Sequence, residues 1–185
     1  AELWRRRDSG ELTAVDIVPA ARTVLIDGLP DPGAVADQIQ RWTPAPAGEV
    51  ASGPEVEIPT RYDGPDLADV AAAWAVSVPE AVRRISGTEF RVAFCGFAPG
   101  FAYLTGLPES WAVPRLPSPR PRVPAGSVAL AGAYAGIYPS ESPGGWRLVG
   151  RTDVSLFDVH RDPPARLVPG VRVRLVDIDG QGGAS

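Results

Sequence analysis

Residues 94–151 read FCGFAPGFAYLTGLPESWAVPRLPSPRPRVPAGSVALAGAYAGIYPSESPGGWRLVGR. Glycine and proline recur every few positions, and each interrupts helical hydrogen bonding or raises the entropic cost of a helix. The segment is nevertheless not a linker, because Phe97, Phe101, Tyr103, Trp111, Tyr134, Tyr138 and Trp146 are spread through it. Disordered tracts lack aromatics at that density. Tight backbone turns with large rings between them suit a small closed barrel with shaped loops. Charge is skewed as well: residues 91–151 carry six arginines (91, 115, 120, 122, 147 and 151) against Glu109 and Glu141, in a chain of net charge -4. Two readings follow, a cationic, aromatic-walled cleft for an anion or carboxylate, or a proline-rich barrel wall with solvated arginines.

Around this stretch the chain alternates short strands and capped helices. Residues 14–18 and 22–27 form a predicted hairpin. Asp31 caps a helix with Pro32 in its first turn, and Val35, Ile39 and Trp42 give it one apolar stripe. Residues 43–54 (TPAPAGEVASGP) read as a loop and 55–62 (EVEIPTRY) as a strand. Leu67, Val70, Ala71 and Trp74 share a helix face, and Ser77 with Pro79 and Glu80 opens a second helix running to about Ser86. Residues 89–95 alternate Phe90, Val92 and Phe94 with Arg91, Ala93 and Cys95, the pattern of a half-buried strand. Further strands fall near 128–131, 135–138, 146–150 and 171–178, in the last of which Val171, Val173 and Leu175 share a face. The fold class is α+β: an amino-terminal α/β lobe over residues 1–61, an antiparallel β-barrel with two packing helices over 62–180, and a polar tail at 181–185.

Composition excludes several chemistries. All 18 basic residues are arginine, which removes a P-loop, Schiff-base or biotin-accepting lysine. One histidine, His160, and one cysteine, Cys95, argue against a His/Cys zinc site and forbid an intrachain disulfide, so no metal site is expected. No membrane-length apolar run or signal-peptide core is present, which with the single cysteine makes a cytoplasmic location the default. Nothing points to nucleic acid, since the Arg5–Arg7 run reads as a solvated face. The absent initiator methionine points to a trimmed start.

Three blocks, GFAPGFAYLTGLP, PRLPSPRPRVPAGSVALAG and GIYPSESPGGWRLVGRT, in this order resemble the signature of the KipI-type proteins. These are also called allophanate hydrolase subunit 1 or the B-type component of ATP-dependent 5-oxoprolinase, and carry a carboxyltransferase C/D-type domain. The resemblance implies a cyclophilin-like barrel, preceded by a ferredoxin-like lobe of which the first strand and helix are missing here. It implies a small subunit of a heteromeric hydrolase acting on amide-type C–N bonds, inactive alone. Its partners would be a larger subunit (allophanate hydrolase subunit 2, KipA-like, or the C-type component of 5-oxoprolinase) and a LamB/YcsF-like A-type component. ATP with magnesium would serve the complex and not be bound by this chain alone. The alternative is regulatory, since some relatives inhibit a sensor histidine kinase without turnover. Relatives usually carry histidine where this chain has Ile85.

The candidate substrate-binding residues are Phe97, Pro99, Gly100, Phe101, Tyr103, Arg115, Arg120, Ser127, Tyr138, Trp146 and Arg151; no catalytic residue is assigned. Gly96 and Gly100 flank Phe97-Ala98-Pro99 and allow close approach of backbone N–H groups to a ligand, or simply build a barrel corner. Arg115, Arg120 and Arg122 stand in a stiff proline frame, and an arginine fork binds carboxylate bidentately; the family pattern matches Arg115 and Arg120. Ser127 could hydrogen-bond a ligand, but as a nucleophile its only base would be the distant His160. Cys95 reads as buried. Asp153 and Asp158 read as turn and strand-end carboxylates rather than bases.

Overall fold

The computed structural model describes residues 2–43 and 53–180. Most of the expected 43–54 loop, and the tail at 181–185, lie outside the described residues. Contacts divide the chain into two units, Ala1–Ser52 and Gly53–Ser185.

In the first unit, helix α1 (Glu2–Asp8) precedes the antiparallel hairpin β1 (Asp16–Pro19) and β2 (Val24–Asp27), and α2 (Pro32–Arg41) follows. The Asp31 carboxylate accepts the Ala34 N–H at N3, and Pro32 lies in the first turn, as the sequence implies. Val35, Ile39 and Trp42 form a half-buried stripe, and the Arg6 guanidinium lies 4.1 Å from the Trp42 ring centroid. The buried apolar core of this unit is slight: Leu12 and Ile17 are buried, while Val15, Val24 and Leu25 stand exposed.

The second unit is built on a seven-stranded sheet. Its strands in chain order are β3 (Glu55–Thr60), β4 (Phe90–Cys95), β5 (Ala102–Thr105), then β6 (Arg120–Val123), which lies outside this sheet, β7 (Ser127–Ala131) and β8 (Tyr134–Ile137). After β9 (Ser142–Gly144), which pairs antiparallel with β6, come β10 (Arg147–Arg151) and β11 (Arg172–Asp177). Spatial order is β10-β7-β8-β5-β4-β11-β3. The two ends meet: Arg61, one residue past β3, bridges antiparallel to Arg151 at the end of β10. The Gly64 and Asp66 amides continue that seam onto the Val149 and Leu148 carbonyls. The sheet is therefore a nearly closed barrel, and the fold is mixed α+β.

Two features depart from the sequence reading. The strand at 55–60, placed from sequence in the amino-terminal lobe, pairs inside the barrel sheet. It also runs parallel to β11, Arg172 opposite Glu55 through Asp177 opposite Thr60, so the barrel is not wholly antiparallel. Parallel neighbours need a long crossover, and here nearly the whole barrel is wound between them.

Alternation decides the interior. Phe90, Val92 and Phe94 of β4, and Val173 and Leu175 of β11, point inward and are buried. Helix α3 (Leu67–Ala73) buries Leu67, Val70 and Ala71, and α4 (Val78–Ser86) buries Ala81 and Ile85; they contact β10 and β11 respectively. Ser77 accepts the Glu80 N–H as the cap of α4. The Glu80 side chain turns instead to Arg83 and Arg84. Ile85 is fully buried in the core and has no access to a ligand. A second apolar cluster, formed by Phe101, Val123, Ala129, Ala131, Tyr138, Trp146 and Leu148, supports the site. No helix among the described residues is long and apolar enough to cross a membrane.

Candidate functional site

The aromatic cluster opens into a cleft of about 270 Å³ walled by Phe97, Phe101, Tyr103, Tyr138 and Trp146, with Arg115, Pro119 and residues 143–145 at its rim. Phe101 is its centre. Its ring meets Phe97, Tyr103, Tyr138 and Trp146 edge-on at 5.3, 5.1, 5.4 and 5.4 Å between centroids. Such T-shaped contacts are favourable geometries for ring quadrupoles. Two glycines make room for these rings. A Cβ on Gly136 would stand 3.0 Å from both Phe101 and Trp146, and one on Gly144 would stand 2.2 Å from the Tyr138 hydroxyl.

The loop joining β4 to β5 sets the mouth. Phe97 has φ +70°, a left-handed conformation unusual for a bulky residue, and the residue is 61% exposed. The turn uses two of its own amides, Ala98 N–H to Gly96 O and Phe101 N–H to Ala98 O. Those two amides are therefore spent within the loop. Pro99 and Gly100 do not line the cleft. Gly100, at φ +82°, faces Phe157, where a Cβ would come within 2.6 Å.

Arg115 lies 6.0 Å from the Trp146 ring centroid. It has no carboxylate partner among the described residues. Burial pushes the Tyr138 hydroxyl up, while the Trp146 amide and the charges of Arg115 and Arg120 pull the other way. Tyr138 thus stays a neutral O–H donor through the physiological range.

The remaining candidates gather elsewhere. Arg120, Ser127 and Arg151 line a separate cleft of about 390 Å³ with Asp63, Arg122 and the 124–125 turn. Arg120 Nη2 donates to Asp66 Oδ1 at 2.7 Å, and Asp66 Oδ2 accepts the Leu148 N–H at 2.7 Å. Asp66, its side chain only 6% exposed, therefore ties β6, the start of α3 and β10 together. This role is structural, and nothing in the local sequence around Asp66 signals it. Ser127 is buried and donates to the Pro124 carbonyl at 2.8 Å. His160 is exposed in a turn whose backbone is fixed by Asp158; neither residue partners Ser127. The Cys95 thiol donates to the Leu167 carbonyl at 3.3 Å and is pushed up by burial, away from thiolate reactivity. Asp153 lines a third cleft of about 220 Å³ beside Arg61 and Arg151. Among the described residues no group of three or more His, Cys, Asp or Glu is placed to hold a metal ion.

The comparisons agree with one another. The family model for the carboxyltransferase domain, subdomain C and D, matches residues 4–167. The B-type component of 5-oxoprolinase from Escherichia coli O157:H7 is 46% identical over 143 residues, covering 76% of this chain and 66% of that protein. The chain spans about half to two-thirds of the length of the curated relatives it matches. A conserved uncharacterised protein of Pyrococcus horikoshii shares 35% identity at a TM-score of 0.65, over 98% of this chain and 87% of that one. The urea amidolyase of K. lactis, at 18% identity and TM-score 0.76 over 97% of this chain and 13% of that one, shares the fold. With 164 of its residues inside that match, the chain belongs to the carboxyltransferase-domain family, subdomains C and D.

Proposed function

We propose that this chain is the B-type component of a 5-oxoprolinase-like complex and that the aromatic cleft is its substrate subsite. The observation that carries this reading is Arg115, a guanidinium without a carboxylate partner among the described residues, held beside Trp146 at the rim of an apolar cleft. A cyclic amide bearing one carboxylate fits such a site. Its ring lies among Phe101, Tyr103 and Trp146, its carboxylate takes the Arg115 fork, and its amide oxygen accepts from the Tyr138 hydroxyl. As that oxygen gains negative charge during C–N cleavage, a neutral donor in a water-poor pocket stabilises it. Allophanate, also a small amide with a carboxylate, is the competing substrate.

Relatives named as B-type components imply further members of a complex. The larger C-type and LamB/YcsF-like A-type proteins are the partners proposed, in the cytoplasm. Nucleotide and magnesium are assigned to them, because this chain has no lysine and its described residues offer no acidic cluster for the ion.

The test is to co-express the chain with the larger C-type protein, with and without the A-type protein. ATP-dependent glutamate release from 5-oxoproline is assayed alongside ammonia release from allophanate. The expected result is glutamate release that falls at least tenfold in Arg115→Ala through a raised KM. A stable complex silent on both substrates would overturn the hydrolase reading.

A further inference from the structure

The geometry points to the arginine cleft as a second ligand site, one that binds a phosphate-type dianion independently of the substrate cleft. Arg120 and Arg122 from β6 and Arg151 from β10 surround a single cavity of about 390 Å³. Their anchoring is unequal. Arg120 is fixed by the buried Asp66. Arg122 and Arg151 are held only by exposed pairs, Nε to Glu141 at 2.6 Å and Nε to Asp63 at 2.9 Å. Side-chain exposures of 75% and 61% for these two arginines place both pairs in high dielectric, where an ion pair stabilises little. Each spends only its Nε there. The terminal nitrogens of both have no acceptor among the described residues.

The cleft therefore has one rigid guanidinium and two arms that can swing, the forked donors that suit tetrahedral oxyanions. A backbone donor stands with them. Ser127 donates to the Pro124 carbonyl and fixes the 124–127 turn. Between them the exposed Ala125 N–H has no acceptor among the described residues. Arginines that served only as solvated surface would not need to share a cavity with a free amide. Asp63 is the one acid in the lining; its charge is offset while Arg151 pairs with it and opposes an anion once Arg151 leaves.

The experiment is an NMR titration of the 185-residue chain with inorganic phosphate, following backbone amides and arginine Nε–H groups. Ionic strength is held constant with sodium chloride. Saturable shifts are expected at the Ala125 amide and at the Nε of Arg120, Arg122 and Arg151. Phosphate affinity should fall at least tenfold in Arg122→Gln/Arg151→Gln, both exposed positions whose replacement leaves the core intact. It should rise several-fold in Asp63→Asn/Glu141→Gln, which frees both arms. Arg115→Ala should leave phosphate affinity unchanged while impairing the substrate cleft, so the two readings can fail separately. Equal shifts with chloride alone, a non-saturating response, or wild-type affinity in the double glutamine variant would each overturn the second site.

Discussion

Phe97 carries a backbone conformation that costs an L side chain about 1–2 kcal/mol, and the residue stays exposed. Against that cost stand edge contacts to Phe101 and Tyr138, worth about 0.5–1.5 kcal/mol each. Replacing Phe97 by glycine relieves the strain but adds about 0.5–1 kcal/mol of chain entropy. At mid-range the losses exceed the relief by roughly 1 kcal/mol, so Phe97→Gly should lower unfolding free energy by that much in urea titrations. If Phe97 is held at the mouth for binding, the same variant should weaken 5-oxoproline affinity about tenfold in the assembled complex. Gly144→Ala should act through overpacking instead. Its Cβ would sit 2.2 Å from the Tyr138 hydroxyl, displacing the donor and costing about 1–3 kcal/mol, visible as a lowered urea midpoint.

Among the elements, the seam where the barrel closes is the most exacting. Arg61 and Arg151 exchange both backbone hydrogen bonds there, at 2.9 and 2.8 Å, and a Cβ on Gly150 would stand 2.3 Å from the Arg61 carbonyl oxygen. Gly150→Ala should push β3 away from β10 and speed hydrogen exchange at the Arg61 and Arg151 amides, leaving β7 and β8 protected. Exchange as slow as in the parent would show that the seam does not need the glycine. The sequence predicts a closed barrel but not which segments close it, because the seam pairs residues far apart in the chain, 61–66 with 148–151. Strands β4 and β11 were legible, since one face of each packs on the core and their alternation is clean. Strands β5, β6 and β9 were not: each has four residues or fewer, too short for a period to stand out in sequence, and β6 and β9 also carry proline. The site was half legible for a related reason. Arg115 and Arg120 look equivalent in the proline-rich run, but β6 begins at Arg120 and carries it to Asp66, 54 positions earlier. Charge counting within 91–151 could not see Asp63 or Asp66, the acids that separate one arginine from the next.

At the scale of the whole molecule, stability should fall on the alkaline side, and three groups of the barrel unit, Tyr138 buried and Tyr62 and Cys95 partly buried, set the direction. Burial raises Tyr62, whose hydroxyl donates to the Leu175 carbonyl at 2.9 Å, well above the ordinary tyrosine range. It raises Tyr138 and Cys95 as well. Each of these groups holds its proton more tightly folded than unfolded. Their contribution is therefore complete below the unfolded pKa, about 8.5 for cysteine and about 10 for tyrosine, and is lost as pH rises above those values. Unfolding free energy should decline from about pH 8.5 and more steeply above about pH 10. Tyr62→Phe separates the two things that hydroxyl does. Losing its hydrogen bond should cost about 1 kcal/mol at pH 7. With no phenol left to ionise at that position, the alkaline decline should become shallower than in the parent chain. A pH series of urea unfolding curves reads both effects together. A parallel offset of the parent and Tyr62→Phe profiles would mean that Tyr62 does not drive the alkaline loss and that ionisation elsewhere opens the barrel first.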